Sequence, residues 1–116
     1  MTAFVAALML VAMAPQANDQ LYREGVAARL AGDNAQAATL LTRVVAAEPG
    51  NADAALQLGL VNLALGQLDE AEVAFRRTLV LAPNYDDARI GLARVAQRRG
   101  DSAQALATLA PVAPGN

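Results

Sequence analysis

The groups in this chain that could do chemistry are carboxylates and guanidinium groups, because the alternatives are missing. None of the 116 residues is His or Cys, and all nine positive charges are arginines. Metals held through nitrogen or sulfur lose their usual ligands. Nucleophile pairs that rely on an imidazole cannot form. Eleven acids leave paired-carboxylate chemistry open, and Asp69, Glu70 and Glu72 are the densest group. They fall beside an expected helix start, where the helix dipole favours the ionised form and opposes a raised pKa. The cluster therefore reads as a solvated surface, and neither an enzyme nor a cofactor is expected. Arg76-Arg77 and Arg98-Arg99 make the C-terminal half more basic. A net charge of −2, with only two Tyr and two Phe, supplies neither the global attraction nor the stacking platforms that nucleic acid requires. No nucleic-acid partner is expected.

These charges must be positioned by helices. Hydrophobic residues make up 55% of the chain but aromatics only 3%, and alanine and leucine dominate, which favours close-packed helices over strands. The length allows one small domain.

The chain repeats itself. Pro15, Pro49 and Pro83 are separated by 34 residues each time. Asp19, Asp53 and Asp87 keep the interval, as do Gly32, Gly66 and Gly100. Gly25, Gly59 and Ala93 keep it on one side of each unit, and Ala37, Ala71 and Ala105 on the other. Each unit reads as helix, glycine turn, helix and proline stop. Asp33 or Asn34 is placed to cap one second helix and Asp69 to cap the next. Asp19, Asp53 and Asp87 fall in the expected first turn of each first helix, where the dipole favours them by about 0.3–1 kcal/mol. The small residues let paired helices approach, with Leu41, Phe75 and Leu109 filling the space beside them. Single pairs cannot bury their own apolar faces, so the units must stack.

The stretches "LYREGVAARLAGDNAQAATLLTRVVAAEP" and "ALQLGLVNLALGQLDEAEVAFRRTLVLAP", with the imperfect "RIGLARVAQRRGDSAQALATLAP", resemble the tetratricopeptide repeat. The second copy is the nearest, with Leu58-Gly59, Ala71, Phe75 and Pro83 in the family's positions. The resemblance implies an all-α, right-handed α-solenoid of about three units plus an N-terminal apolar helix. The divisions are 1–17 for the apolar segment, 18–51, 52–85 and a shortened 86–116. Leu21, Ala55 and Arg89 stand where the family often has a large aromatic, Glu24 replaces a leucine, and Asn62 is a polar residue at the inter-helix seam. Pro111 should end the last helix near Ala110.

The resemblance also implies a protein or peptide partner held in the concave groove. Its positions carry over to Asp19, Tyr22, Arg23, Val26 and Arg29, then Asp53, Leu56, Gln57, Leu60 and Leu63, then Asp87, Ile90, Gly91, Arg94 and Arg98. The carboxylate clamp of one chaperone-binding subtype is absent: Tyr22, Val26, Gln57, Asp87 and Gly91 occupy its places. What remains is an apolar strip of Leu56, Leu60, Leu63 and Ile90 flanked by Arg23, Arg29, Arg94 and Arg98. Arginine suits carboxylates through bidentate pairing, so an amphipathic segment with acidic flanks fits. The competing readings are core packing for the leucines, and self-association through the stack ends.

The opening MTAFVAALMLVAMAP has no charge. Its apolar run has the length of a secretory signal core, with Ala12-Met13-Ala14 as a cleavage-like site, and is too short for a stable membrane span. No Lys or Arg precedes it, and Pro15 disfavours cleavage. The expectation is export to the periplasm or beyond. The alternative is a retained helix in a cytoplasmic protein, since Pro15 is in phase with Pro49 and Pro83. Residues 3–14 then occupy the place of a preceding unit's second helix.

Overall fold

The computed structural model describes residues 2–111, with side chains from residue 16 onward. Six α-helices follow one another: α1 (Thr2–Leu30), α2 (Asn34–Ala47), α3 (Ala52–Ala64), α4 (Leu68–Leu81), α5 (Asp86–Arg98) and α6 (Ser102–Leu109). No strand is present among the described residues. Each odd helix packs on the even helix after it, and successive hairpins stack into a rod of 63 × 27 × 23 Å. This is the expected all-α stack of helix-turn-helix units.

The turns are local chemistry repeated three times. Gly32, Gly66 and Gly100 have φ of +83°, +76° and +82°, a region that an L side chain disfavours. Asp33 N–H donates to Ala28 C=O at 2.9 Å, and Gly32 N–H to Arg29 C=O at 3.0 Å. The same pair of bonds recurs one unit on, from Gln67 to Asn62 and Gly66 to Leu63, and again from Asp101 to Ala96 and Gly100 to Gln97. This Schellman arrangement satisfies carbonyls that the helix end would leave orphaned. The residue after each glycine is also the N-cap of the next helix: the Asp33 carboxylate accepts from Gln36 N–H and that of Asp101 from Gln104 N–H.

That register overturns one expected cap. The N-cap of α4 is Gln67, which makes no side-chain capping bond, and Asp69 lies inside the first turn. Because Gly66 fixes where the turn closes, the cap must be its immediate successor, whatever acid follows. A second expectation also fails. α1 runs through Pro15 without stopping, so residues 3–14 continue α1 instead of forming a separate paired helix, and Asp19 is not in a first turn. Pro49 and Pro83 follow helices already closed at Glu48 and Ala82, and turn residues follow them: Gly50-Asn51 and Asn84-Tyr85. Gln16-Ala17 after Pro15 offers no such turn, and a proline alone bends a helix or costs one bond without reversing the chain. α6 ends at Leu109 with Ala110 as its cap, as Pro111 requires.

The core lies where small residues let helices touch. A Cβ added to Gly25 would stand 2.8 Å from Leu41 Cγ, and one on Gly59 would stand 2.6 Å from the Phe75 ring. Ala37, Leu41, Ala71 and Phe75 are fully buried, and in the third unit Ala93 and Ala105 are buried with Leu109 packed against them. Asn62 is buried at the seam. No buried side-chain N or O among the described residues lacks a partner.

Candidate functional site

The odd helices α1, α3 and α5 contact one another in succession along one side of the stack, and polar bridges tie them together. Arg29 Nε on α1 donates to Gln57 Oε1 on α3 at 2.7 Å. Tyr85, the residue before α5, donates its phenolic hydrogen to Asp53 Oδ1 on α3 at 2.5 Å. That bond, reinforced by burial, pushes the Tyr85 hydroxyl up to about 12. Tyr22 on α1 is also raised, chiefly by burial, with the Asp53 charge adding to it. Asp53 thus accepts the Tyr85 hydrogen bond and adds to the burial that raises Tyr22. Arg98 Nη1 reaches the Leu63 carbonyl at 3.3 Å, joining α5 to the end of α3.

Between these bridges lies a cleft of about 550 Å³ lined by Leu60, Leu63, Ala64, Arg94, Gln97 and Arg98. Four of the expected groove residues, Leu60, Leu63, Arg94 and Arg98, meet there. Arg94 is exposed and, like Arg23, makes no hydrogen bond or ion pair among the described residues. Val26, Leu60 and Ile90 are half-buried. Ile90 instead lines a separate concavity of about 700 Å³ at the α4–α5 connection, with Tyr85 and Asp87.

Other expected positions turn inward. Leu56 and Leu63 are 4% and 8% exposed and join Phe75, Ala88 and Val95 in one cluster, so they contribute mainly packing. Gly91 is not a groove residue: a Cβ there would meet the Phe75 ring at 2.5 Å. Sequence reasoning missed Tyr85, because a loop tyrosine carries no helical periodicity. Asp53 was read as a dipole charge and a groove position, and its bond from Tyr85 across the unit boundary was not foreseen.

The acidic cluster is taken up by structure. Arg99, the C-cap of α5, pairs with both Asp69 and Glu72 on α4, and Arg76 pairs with Glu72 at 2.9 Å. The hydrogen bond from Arg99 is the main reason the Glu72 carboxyl sits below its usual range. That is the opposite of what a general acid needs. Among the described residues no group of three or more His, Cys, Asp and Glu could hold a metal ion. No helix among them is long and apolar enough to cross a membrane.

Two family models described as tetratricopeptide repeat match residues 22–86 and 63–116. The chain is 33% identical over 87 residues to cellulose synthase operon protein C of Pseudomonas fluorescens (strain SBW25), covering 75% of this chain and 7% of that protein. Among solved structures, MamA superposes with a TM-score of 0.75 at 25% identity, over 79% of this chain and 54% of MamA. The Yersinia enterocolitica type III secretion translocator chaperone SycD superposes at 0.79 with 20% identity, over 91% of this chain and 84% of SycD, and speaks for the fold alone. The chain thus spans a small part of the curated relative and about half of MamA. With these matches and three stacked helix pairs closed by in-phase glycines, the chain belongs to the tetratricopeptide repeat family, whose fold is a scaffold for protein–protein interaction.

Proposed function

We propose that the chain is a non-enzymatic interaction module whose concave groove holds an amphipathic helix or extended peptide with acidic flanks. The observation that carries this reading is the cleft in which unpaired Arg94 lies beside half-buried Leu60 and buried Leu63. An apolar floor gives affinity to a nonpolar side chain, and a free guanidinium at its edge selects a neighbouring carboxylate. The Tyr85–Asp53 bond and the Arg29–Gln57 bridge tie neighbouring odd helices together, so little ordering is left for binding to supply.

The test is the affinity of an acidic amphipathic peptide for the wild type, Leu60→Glu and Arg94→Glu, read by fluorescence anisotropy. Both substitutions should weaken binding about tenfold or more, a difference worth about 1.4 kcal/mol. Raised salt should weaken the wild type as well. Because Arg94 is exposed, its reversal leaves the fold intact. Equal affinity for all three proteins overturns the groove assignment.

The uncharged opening and Ala12-Met13-Ala14 support export to the periplasm or beyond. N-terminal sequencing of the protein from its source tests this reading, and a chain that begins at Met1 overturns it.

A further inference from the structure

The convex face carries a second cleft, between α2 and α4 with α3 as its floor. It encloses about 1000 Å³, with Ala38, Val45, Ala55, Leu58, Val73 and Ala74 as its apolar lining. The repeat supplies an internal control. The corresponding cleft one unit on, between α4 and α6 over α5, encloses about 200 Å³. Its lining sits 34 residues further along, and the residue types differ where it matters. Ala38, Thr42 and Ala55 become Glu72, Arg76 and Arg89. Arg99, which corresponds to Leu65, ties Glu72 from across the second cleft. The two clefts share repeat positions, with the 14-residue α2 as one wall of the first and the 8-residue α6 as one wall of the second. The first is wider where Ala38, Thr42 and Ala55 stand in place of the long charged Glu72, Arg76 and Arg89.

Its charges give it a direction. Asp69 and Glu70 lie in the first turn of α4 at one end, and Arg43 and Arg77 lie toward the C-terminal ends of α2 and α4 at the other. Glu70 and Arg43 make no hydrogen bond or ion pair among the described residues. α2 and α4 have 14 residues each, so the trough is roughly 21 Å long at 1.5 Å per residue. Val73, 68% exposed, forms part of its wall.

We infer that this convex cleft is a second docking site, whose occupant is a partner-protein α-helix of three to four turns lying antiparallel to α2 and α4. That helix has an apolar stripe, acidic residues in its first turn and basic residues in its last. Antiparallel placement sets its acidic start against Arg43 and its basic end against Glu70, whereas Arg77 is held by the Pro49 carbonyl and Asp69 by Arg99. It also opposes the occupant's dipole to those of α2 and α4. The apolar lining provides affinity, and the exposed charges at the ends set orientation and association rate. The inference stands apart from the concave groove, which shares none of the cleft's lining residues.

The test uses two stapled peptides of about 14 residues with one leucine stripe, an Asp/Glu start and a Lys/Arg end, or the reverse. The wild type should bind the first at least about tenfold more tightly than the second. Val73→Glu, at an exposed position, should weaken binding of the first about tenfold or more. Swapping the ends in Glu70→Arg/Arg43→Glu should shift preference toward the reversed peptide. Leu60→Glu and Arg94→Glu should leave affinity within about twofold. The inference is overturned if neither peptide binds, if Val73→Glu binds as the wild type does, if the end swap leaves the preference unchanged, or if binding falls instead with Leu60→Glu.

Discussion

Gly91 on α5 lies directly against the ring of Phe75 on α4, so close that a Cβ at position 91 would stand 2.5 Å from ring carbons Cε1 and Cζ. Gly59 on α3 lies as close to the same ring: a Cβ there would stand 2.6 Å from Cδ1 and Cε1. Phe75 is fully buried and is thereby the point where α3, α4 and α5 are pinned together.

Gly91→Ala and Gly59→Ala should therefore destabilise the fold despite improving helix propensity. Forcing a methyl against an immobile ring costs about 1–3 kcal/mol, and the propensity gain of up to about 1 kcal/mol offsets only part of it. Chemical denaturation should show a lower midpoint for both. Gly50→Ala, where nothing lies within 4 Å and φ is not positive, should be close to neutral. A stabilised Gly91→Ala would show that the ring can retreat.

Alkaline titration should report the Tyr85–Asp53 bond. The Tyr85 hydroxyl is raised from 10.0 to about 12. A group raised in the folded state stabilises fully below its unfolded value. The contribution of Tyr85 is thus intact below pH 10 and fades as pH rises through about 12. Tyrosinate absorbance of the native protein should rise later than that of the unfolded chain, and Tyr85→Phe should remove the latest phase. At neutral pH that substitution should cost about 0.5–1.5 kcal/mol.

The Arg99 fork acts at the acid end. Glu72 is lowered from 4.5, first by its hydrogen bond from Arg99. Its stabilising contribution is present above that value and is lost as pH falls through the depressed one. Arg99→Gln should therefore lower the denaturation midpoint at neutral pH, and the gap to wild type should narrow well below pH 4.5. Both partners are partly exposed, so added salt should narrow it as well.

Two substitutions separate a true cap from a nearby acid. Asn51 accepts from Ala54 N–H at 2.9 Å and donates to Glu48 at 3.1 Å, so Asn51→Ala should cost about 1 kcal/mol. Asp69→Ala removes no capping bond and should cost less, within the roughly 0.3–1 kcal/mol of a first-turn charge. Thermal melts of the two variants give the comparison.

What the sequence determined by itself is most of what closes within one turn of chain, the Gln67 cap of α4 excepted. Glycines at 34-residue intervals placed the three left-handed turns, the cap of α2 was narrowed to Asp33 or Asn34 and is Asp33, and Pro111 marked the end of α6. Pairing within a unit was legible too, because Gly59 and Phe75 both belong to one hairpin whose geometry is local. Pro15 misled because a proline looks the same whether or not a turn follows it.

The tertiary structure decided what depends on the angle between successive hairpins. That angle turned Gly91 and Leu56 into the core and left Leu60 and Arg94 lining the cleft between α3 and α5. It brought Tyr85 onto Asp53, 32 residues away. It also opened the convex cleft over Ala55 while the charged counterpart over Arg89 narrowed. Positions three and four apart along a helix share a face in any sequence. Which of those faces meets solvent is fixed only when neighbouring helices, crossing at angles set by their side chains, settle against one another.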